Sequence, residues 1–270
     1  MTNRLSRFLL SFGTLLLAAP CTPLLAQQPL ETETARPPKK GVVEIQTTFE
    51  YQTAKEGKEA AAPLAFEYGI TDRWTILIEP VLFTGIRPKL GPHARGAGDL
   101  EVTLSYLLAK EEGRRPALAI AGELKAPTAR NALIGTGKPD FAAYLFASKR
   151  FGKFDTHYNV GYTFVGKPAG LTVNNTLNFA FATEYFVNRK FTLLGEALVN
   201  GIGKAEAPVV PGVPVTTSPE AAAGELVGTL GFRYNINPHV SFALGVSRDN
   251  TGAILYRPGI TYQFNLPGIH

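Results

Sequence analysis

The side chains of this protein that could do chemistry are mostly carboxylates, and they recur singly inside apolar stretches. Glu50, Glu67, Glu79, Asp99, Glu101, Glu123, Glu184, Glu196 and Glu225, together with Lys125, Arg233 and Arg257, each have an apolar neighbour directly beside them. Carboxylates spaced in this way can line an aqueous path, or they can pair with the few cations and fill a narrow interior. A hydrolytic site would need more, namely a nucleophile with a base beside it. Of the four histidines, His93, His157, His239 and His270, only His157 shares the phase of these charged residues, with Asn159 and Thr163, and no serine in a recognisable nucleophile motif accompanies it. A single histidine on a polar face is ordinarily a lining residue. No two histidines have metal-ligand spacing, and no glycine-rich phosphate loop precedes a helix. No catalytic residue, metal or cofactor is therefore expected.

The elements that must position these charges are β-strands. From Val42 to Phe264 the chain reads as segments of roughly ten residues in which apolar and polar residues alternate, the pattern of a transmembrane barrel. In the last segment Ile254, Tyr256, Pro258, Ile260, Tyr262 and Phe264 share one face, and Leu255, Arg257, Gly259, Thr261 and Gln263 the other. Period two means a strand. A bilayer offers no partner to a backbone N–H or C=O, so strands cross it only as a closed sheet. A charge near the midplane of the lipid face is costly, which places the charged phase in the lumen. The lumen is then predominantly acidic, with small and apolar positions such as Leu77, Val81, Phe83, Ala180, Ala182 and Leu194 between the charges.

Tight turns fall at Thr71–Arg73, Lys110–Arg115, Phe151–Phe154, Val187–Lys190 and Asn235–His239. Longer connections alternate with them, at about 53–62, 87–97, 128–138, 166–175, 203–222 and 248–253. Five short turns and six longer loops join twelve strands. In outer-membrane barrels the short turns face the periplasm. Aromatic residues gather beside them: Tyr68, Trp74, Phe151, Phe154, Tyr185, Phe191 and Tyr234, with Tyr262 and Phe264 at the same level. Such a girdle suits a membrane interface and is not required of a soluble β-sandwich. The longest connection carries Pro208, Pro211, Pro214 and Pro219 and reads as an external loop, either folded over the mouth or disordered.

At the N-terminus, Arg4 and Arg7 precede an uncharged run from Phe8 to Ala26, which reads as a secretory signal peptide over 1–26. Pro20 precedes Cys21 where a lipid-anchor signal would have a small residue, so the one cysteine is assigned to the discarded segment. The mature chain then relies on its sheet, with no disulfide. The signal segment holds two Arg and no acid, so the formal charge of +5 becomes +3 without it, too mild to suggest nucleic acid. Residues 27–41 read as a periplasmic lead-in, 42–264 as the barrel and 265–270 as a short tail. The bland hydrophobic fraction of 45% is what an alternating barrel averages to.

The stretches FEYGITDRWTILIEP, GAGDLEVTLSYLL, AIAGELKAPTA, GTGKPDFAAYLFASKRFGKFDTHYNVGYTF and NINPHVSFALGVS resemble the outer-membrane family described as Putative MetA-pathway of phenol degradation. The resemblance spans most of the mature chain and consists of turn-and-strand patterns that name no active site. Where the family often has Pro-Thr-Gly, this chain has Pro127, Thr128 and Ala129. The family implies an outer-membrane barrel linked to aromatic-compound metabolism, with uptake as the implied role. The expectation is a non-enzymatic, all-β antiparallel barrel of the bacterial outer membrane passing small solutes, hydrophobic or aromatic ones included. The alternatives are a closed structural barrel and, less favoured, an outer-membrane hydrolase. Expected partners are outer-membrane lipids, an unidentified small solute and the barrel-assembly machinery, whose recognition signal the ending Ile260, Tyr262, Phe264 resembles; no nucleic acid is expected.

Overall fold

A computed structural model describes residues 30–168, 174–202 and 225–266. The signal segment 1–26, the whole of the proline-rich loop 203–222 and His270 lie outside the described residues. The order of strands is β1 (Val42–Thr48), β2 (Glu50–Thr53), β3 (Gly57–Gly69), β4 (Trp74–Pro88), β5 (Ala94–Gly96), β6 (Leu100–Ala109) and β7 (Ala117–Ala126). It continues with β8 (Asp140–Phe151), β9 (Phe154–Phe164), β10 (Thr176–Phe186), β11 (Phe191–Ile202), β12 (Glu225–Asn235), β13 (Val240–Asp249) and β14 (Ile254–Asn265).

These strands form one antiparallel sheet in which β1 pairs with both β3 and β14, so the sheet closes. Two staves are broken: β1 and β2 lie end to end between β14 and β3, and β5 and β6 both lie along β4. Counted as staves, the fourteen segments make a twelve-stranded barrel.

Alternation sets which face is inside. On β9 the burial pattern alternates almost without exception: Asp155, His157 and Asn159 are buried, while Phe154, Tyr158, Val160, Tyr162 and Phe164 are exposed. Neighbouring strands keep the phase because directly paired residues share a face, as His157 does with Ser148 on β8 and Ala182 on β10. The exposed residues form an apolar outer band of the kind a bilayer covers. At the short-turn end the girdle rings touch one another: Trp74 with Tyr106 (4.7 Å between centroids), Phe154 with Tyr185 (4.8 Å) and Tyr262 with Phe264 (5.4 Å).

Three sequence readings change. The connection expected at 53–62 is only residues 54–56, because β3 begins at Gly57; the alanine run 60–62 has no alternation to betray a strand. Likewise β4 runs on to Pro88 through part of the connection expected at 87–97. Phe83, expected inside, is 41% exposed on the outer face beside Leu82, 59% exposed. The cause is an irregularity in the β3–β4 ladder, which shifts register between Ala62 and Pro63 and so reverses the phase above it. Pro63 and Pro80 sit at this gap, where fewer ladder donors are needed.

Candidate functional site: the lumen and its strap

The largest departure from the sequence reading lies inside the barrel. Residues 30–40, expected as a periplasmic lead-in, run up the lumen as an irregular strap with bends at residues 30–32 and 35–36. The strap enters at the short-turn end, where the Lys40 amide is 3.4 Å from Asp72 Oδ1 and the Gly41 amide donates to Gly69 O at 2.8 Å. Higher up, Arg36 meets Glu111 (2.6 Å) and Asp155 (2.9 Å), and the Ala35 amide donates to Ser148 Oγ (2.9 Å). Asn159 grips residue 33 at both ends, accepting its N–H at 2.7 Å and donating to its C=O at 2.9 Å. The amides of Leu30, Glu31 and Thr32 all converge on Glu196 Oε1 at 3.0, 3.0 and 3.1 Å.

A peptide with neither helix nor strand pairing leaves most of its backbone groups open, so in a lumen they must find partners on the wall. Inward polar residues supply them here. Shape matters as well. Gly231 and Gly245 are cross-strand partners on β12 and β13, and a Cβ on Gly245 would lie 2.9 Å from Leu30 Cδ1. The two glycines thus leave a notch that Leu30 fills. Below it, Ala35 packs with Leu107, Ala117, Ala119, Ala121 and Phe146 in an apolar cluster, and the space left between strap and wall there is a cavity of only about 20 Å³.

Above the strap is a cavity of about 540 Å³. Glu79, Glu101 and Glu123 line it from β4, β6 and β7; Glu79 and Glu101 are direct cross-strand partners. Glu123 accepts from Thr103 Oγ1 and Tyr144 Oη, both at 3.4 Å. Phe146, Val81 and Leu198 supply apolar surface, and Arg257 is the one cation among the residues lining this cavity. Arg257 bridges Glu31 of the strap (2.6 Å) and Glu50 of the wall.

The other expected lining residues divide by position. Glu67, Glu184, Glu196, His157 and Arg233 are buried inside the barrel, with Arg233 and Glu184 paired at 3.2 Å. Lys125 is paired with Asp140. Asp99 turns into the β7–β8 connection, where it accepts the Ala129 amide at 2.9 Å. Glu225 is exposed and lies with Asp249 at the loop end.

Sequence reasoning missed Ser148. Counting back across the Phe151–Phe154 turn places Ser148 opposite His157, and its Oγ is 2.9 Å from His157 Nδ1. Asp155 Oδ1 is 3.8 Å from Nε2, beyond hydrogen-bonding range. The trio has the composition of a hydrolytic site but not its access: Ser148 is 0% exposed, His157 2%, and the Ala35 N–H already occupies Ser148 Oγ. Here Ser148 and Asp155 hold the strap, and His157 holds Ser148.

A family model matches residues 65–253, from the middle of β3 to the turn after β13. The chain belongs to the family described as Putative MetA-pathway of phenol degradation. No curated protein matches its sequence. In structure this family member is similar to an outer membrane channel from Pseudomonas putida F1, with a TM-score of 0.64 and 13% identity over 85% of this chain and 98% of that one. It is also similar to the NanC porin, with a TM-score of 0.58 and 11% identity over 81% and 98% of the two chains. The KdgM porin in complex with disordered oligogalacturonate gives 0.54 and 11% over 82% and 99%. At these identities the likeness is one of fold.

Proposed function

We propose that the protein is a non-enzymatic channel of the bacterial outer membrane for small solutes, hydrophobic or aromatic ones included, and that its own N-terminal strap closes the short-turn half of the lumen in the conformation described. The observation that carries this reading is the lumen itself: a cavity of about 540 Å³ with carboxylates on one side and apolar surface on the other, above a strap held by side chains and not by strand pairing. A strap fastened in this way can leave without breaking the sheet. The acidic wall favours neutral and positively charged solutes over anions. Family membership supports the association with aromatic compounds and does not supply the solute.

The periplasmic side is assigned to the short turns, outer-membrane lipids to the apolar band, and the barrel-assembly machinery to the Phe264 end. The test is a liposome-swelling series with the refolded protein across sugars and phenolic compounds. Faster swelling with phenolics than with sugars of equal mass supports the reading. No swelling with any solute, from a protein that is folded and inserted, favours the closed structural barrel.

A further inference from the structure

Above the phase reversal at Ala62 and Pro63, three cations share one face of the sheet. Lys58 on β3 is the direct cross-strand partner of Arg87 on β4. Arg95 on β5 is the partner of Gly85, two residues from Arg87 on the same strand, so it lies on that face too. The opposite face is the inner one: Ala61 lines the cavity, and Glu59 and Ile86 line the lumen mouth with Gln52 and Asp249, a mouth whose rim Lys58 also borders while its strand phase is that of Ala60 and Ala62. Lys58, Arg87 and Arg95 therefore point outward, at the loop end of the barrel.

All three are exposed, and none has an ion pair or side-chain hydrogen bond among the described residues. The outward positions beside them on these strands are Ala60, Ala62, Phe83 and Gly85, which bring no acid. Like charges directly opposite on a sheet repel, so Lys58 facing Arg87 is unfavourable unless an anion lies against the pair. Immediately below are Leu82 and Phe83, large apolar side chains exposed on the outer face. At about 3.3 Å per residue and a strand tilt of about 40°, Arg95 stands roughly 5 Å and Arg87 roughly 10 Å above Phe83, within and just beyond a headgroup layer of about 5–8 Å.

We propose that Lys58, Arg87 and Arg95 form a binding site for the phosphorylated sugar headgroup of the outer-leaflet glycolipid, with Leu82 and Phe83 against its acyl chains. The inference rests on the reading of this end as external. Two phosphates on one headgroup match a pair of facing cations with a third beside them, and guanidinium groups bind phosphate bidentately.

The test is native mass spectrometry of the full-length protein refolded in detergent and offered bis-phosphorylated lipid A, its dephosphorylated form, or phosphatidylglycerol. The expected result is retention of bis-phosphorylated lipid A, with at least a tenfold loss of occupancy in K58Q/R87Q/R95Q and none in the short-turn control K153Q/R189Q. R87E alone should lose most of it. Equal retention of the dephosphorylated form or of phosphatidylglycerol would overturn the proposal, as would displacement by millimolar inorganic phosphate, or a triple variant that folds and binds as wild type does. Current recordings on the same samples keep the two readings apart: a protein that conducts but retains no lipid A refutes this site alone.

Discussion

Glu196 Oε1 lies 3.1 Å from the amide nitrogen of Thr32 and also accepts the amides of the two residues before it, so one carboxylate of the wall fastens the tip of the strap. Hydrogen bonds to a charged group contribute about 1.5–3 kcal/mol. Glu196→Ala should loosen the strap by that order while leaving the sheet intact, seen as more frequent channel openings in a planar bilayer. Openings no more frequent than in the wild type would mean that Glu196 does not hold the strap.

The glycine notch gives a steric version of the same test. A Cβ at Gly245 would meet the end of the Leu30 side chain at 2.9 Å, so Gly245→Val should push the strap out, and adding Leu30→Ala should let it return. The readout is proteolysis of the strap in the folded barrel: cleavage should rise in the single variant and fall again in the double. Equal cleavage in both would show that the notch does not seat Leu30.

Much of this fold is legible in the sequence, and the strap is not. Strands such as β9 and β14 announce themselves because a bilayer outside and a polar lumen inside impose opposite demands on successive residues. The aromatic girdle and the short turns are legible for the same reason. Residues 30–40 have no such periodicity, since a bent peptide inside a lumen presents every side of itself to the wall. The alanine run 60–62 is not legible because it has no alternation, and the outward turn of Phe83 is not because a phase reversal at a ladder irregularity leaves no mark in a pattern counted by twos. At the candidate site, the inward carboxylates could be read but not what they bind. Glu196 looks like any lining acid until the strap amides lie against it, and Ser148 gains meaning only from its register with His157.

The lower anchor predicts a pH dependence. Burial opposes the charge on Glu111, but hydrogen bonds from Lys149, Arg36 and the Arg150 amide hold its carboxyl at about 2, below its ordinary 4.5. A depressed folded value means the contribution is full above about pH 4.5 and is lost as pH falls through about 2. The melting-temperature gap between wild type and Glu111→Gln should therefore be constant from pH 7 to about 5 and narrow progressively towards pH 2. A gap that widens in acid would reverse the sign and contradict the assignment.

The two faces can be tested on adjacent residues of β6. Leu104 is 44% exposed on the outer face and Thr103 is 7% exposed inside, beside Glu123. Leu104→Arg should destabilise the barrel by about 2–4 kcal/mol if it lies near the midplane. Thr103→Arg should fold and lower the preference for cations in reversal-potential measurements, because it adds positive charge beside Glu101 and Glu123. If Thr103→Arg unfolds the protein and Leu104→Arg does not, the phase of β6 is wrong.

The central claim is that the strap, and not the wall, closes the lumen. The most direct measurement is the single-channel conductance of the full-length protein beside a variant in which the residues from the end of the signal segment to Pro37 are deleted. We predict small, intermittent currents from the first and a steady, cation-selective current from the second. A strapless barrel that inserts, retains its β-sheet spectrum and conducts no better than the full-length protein would contradict the account.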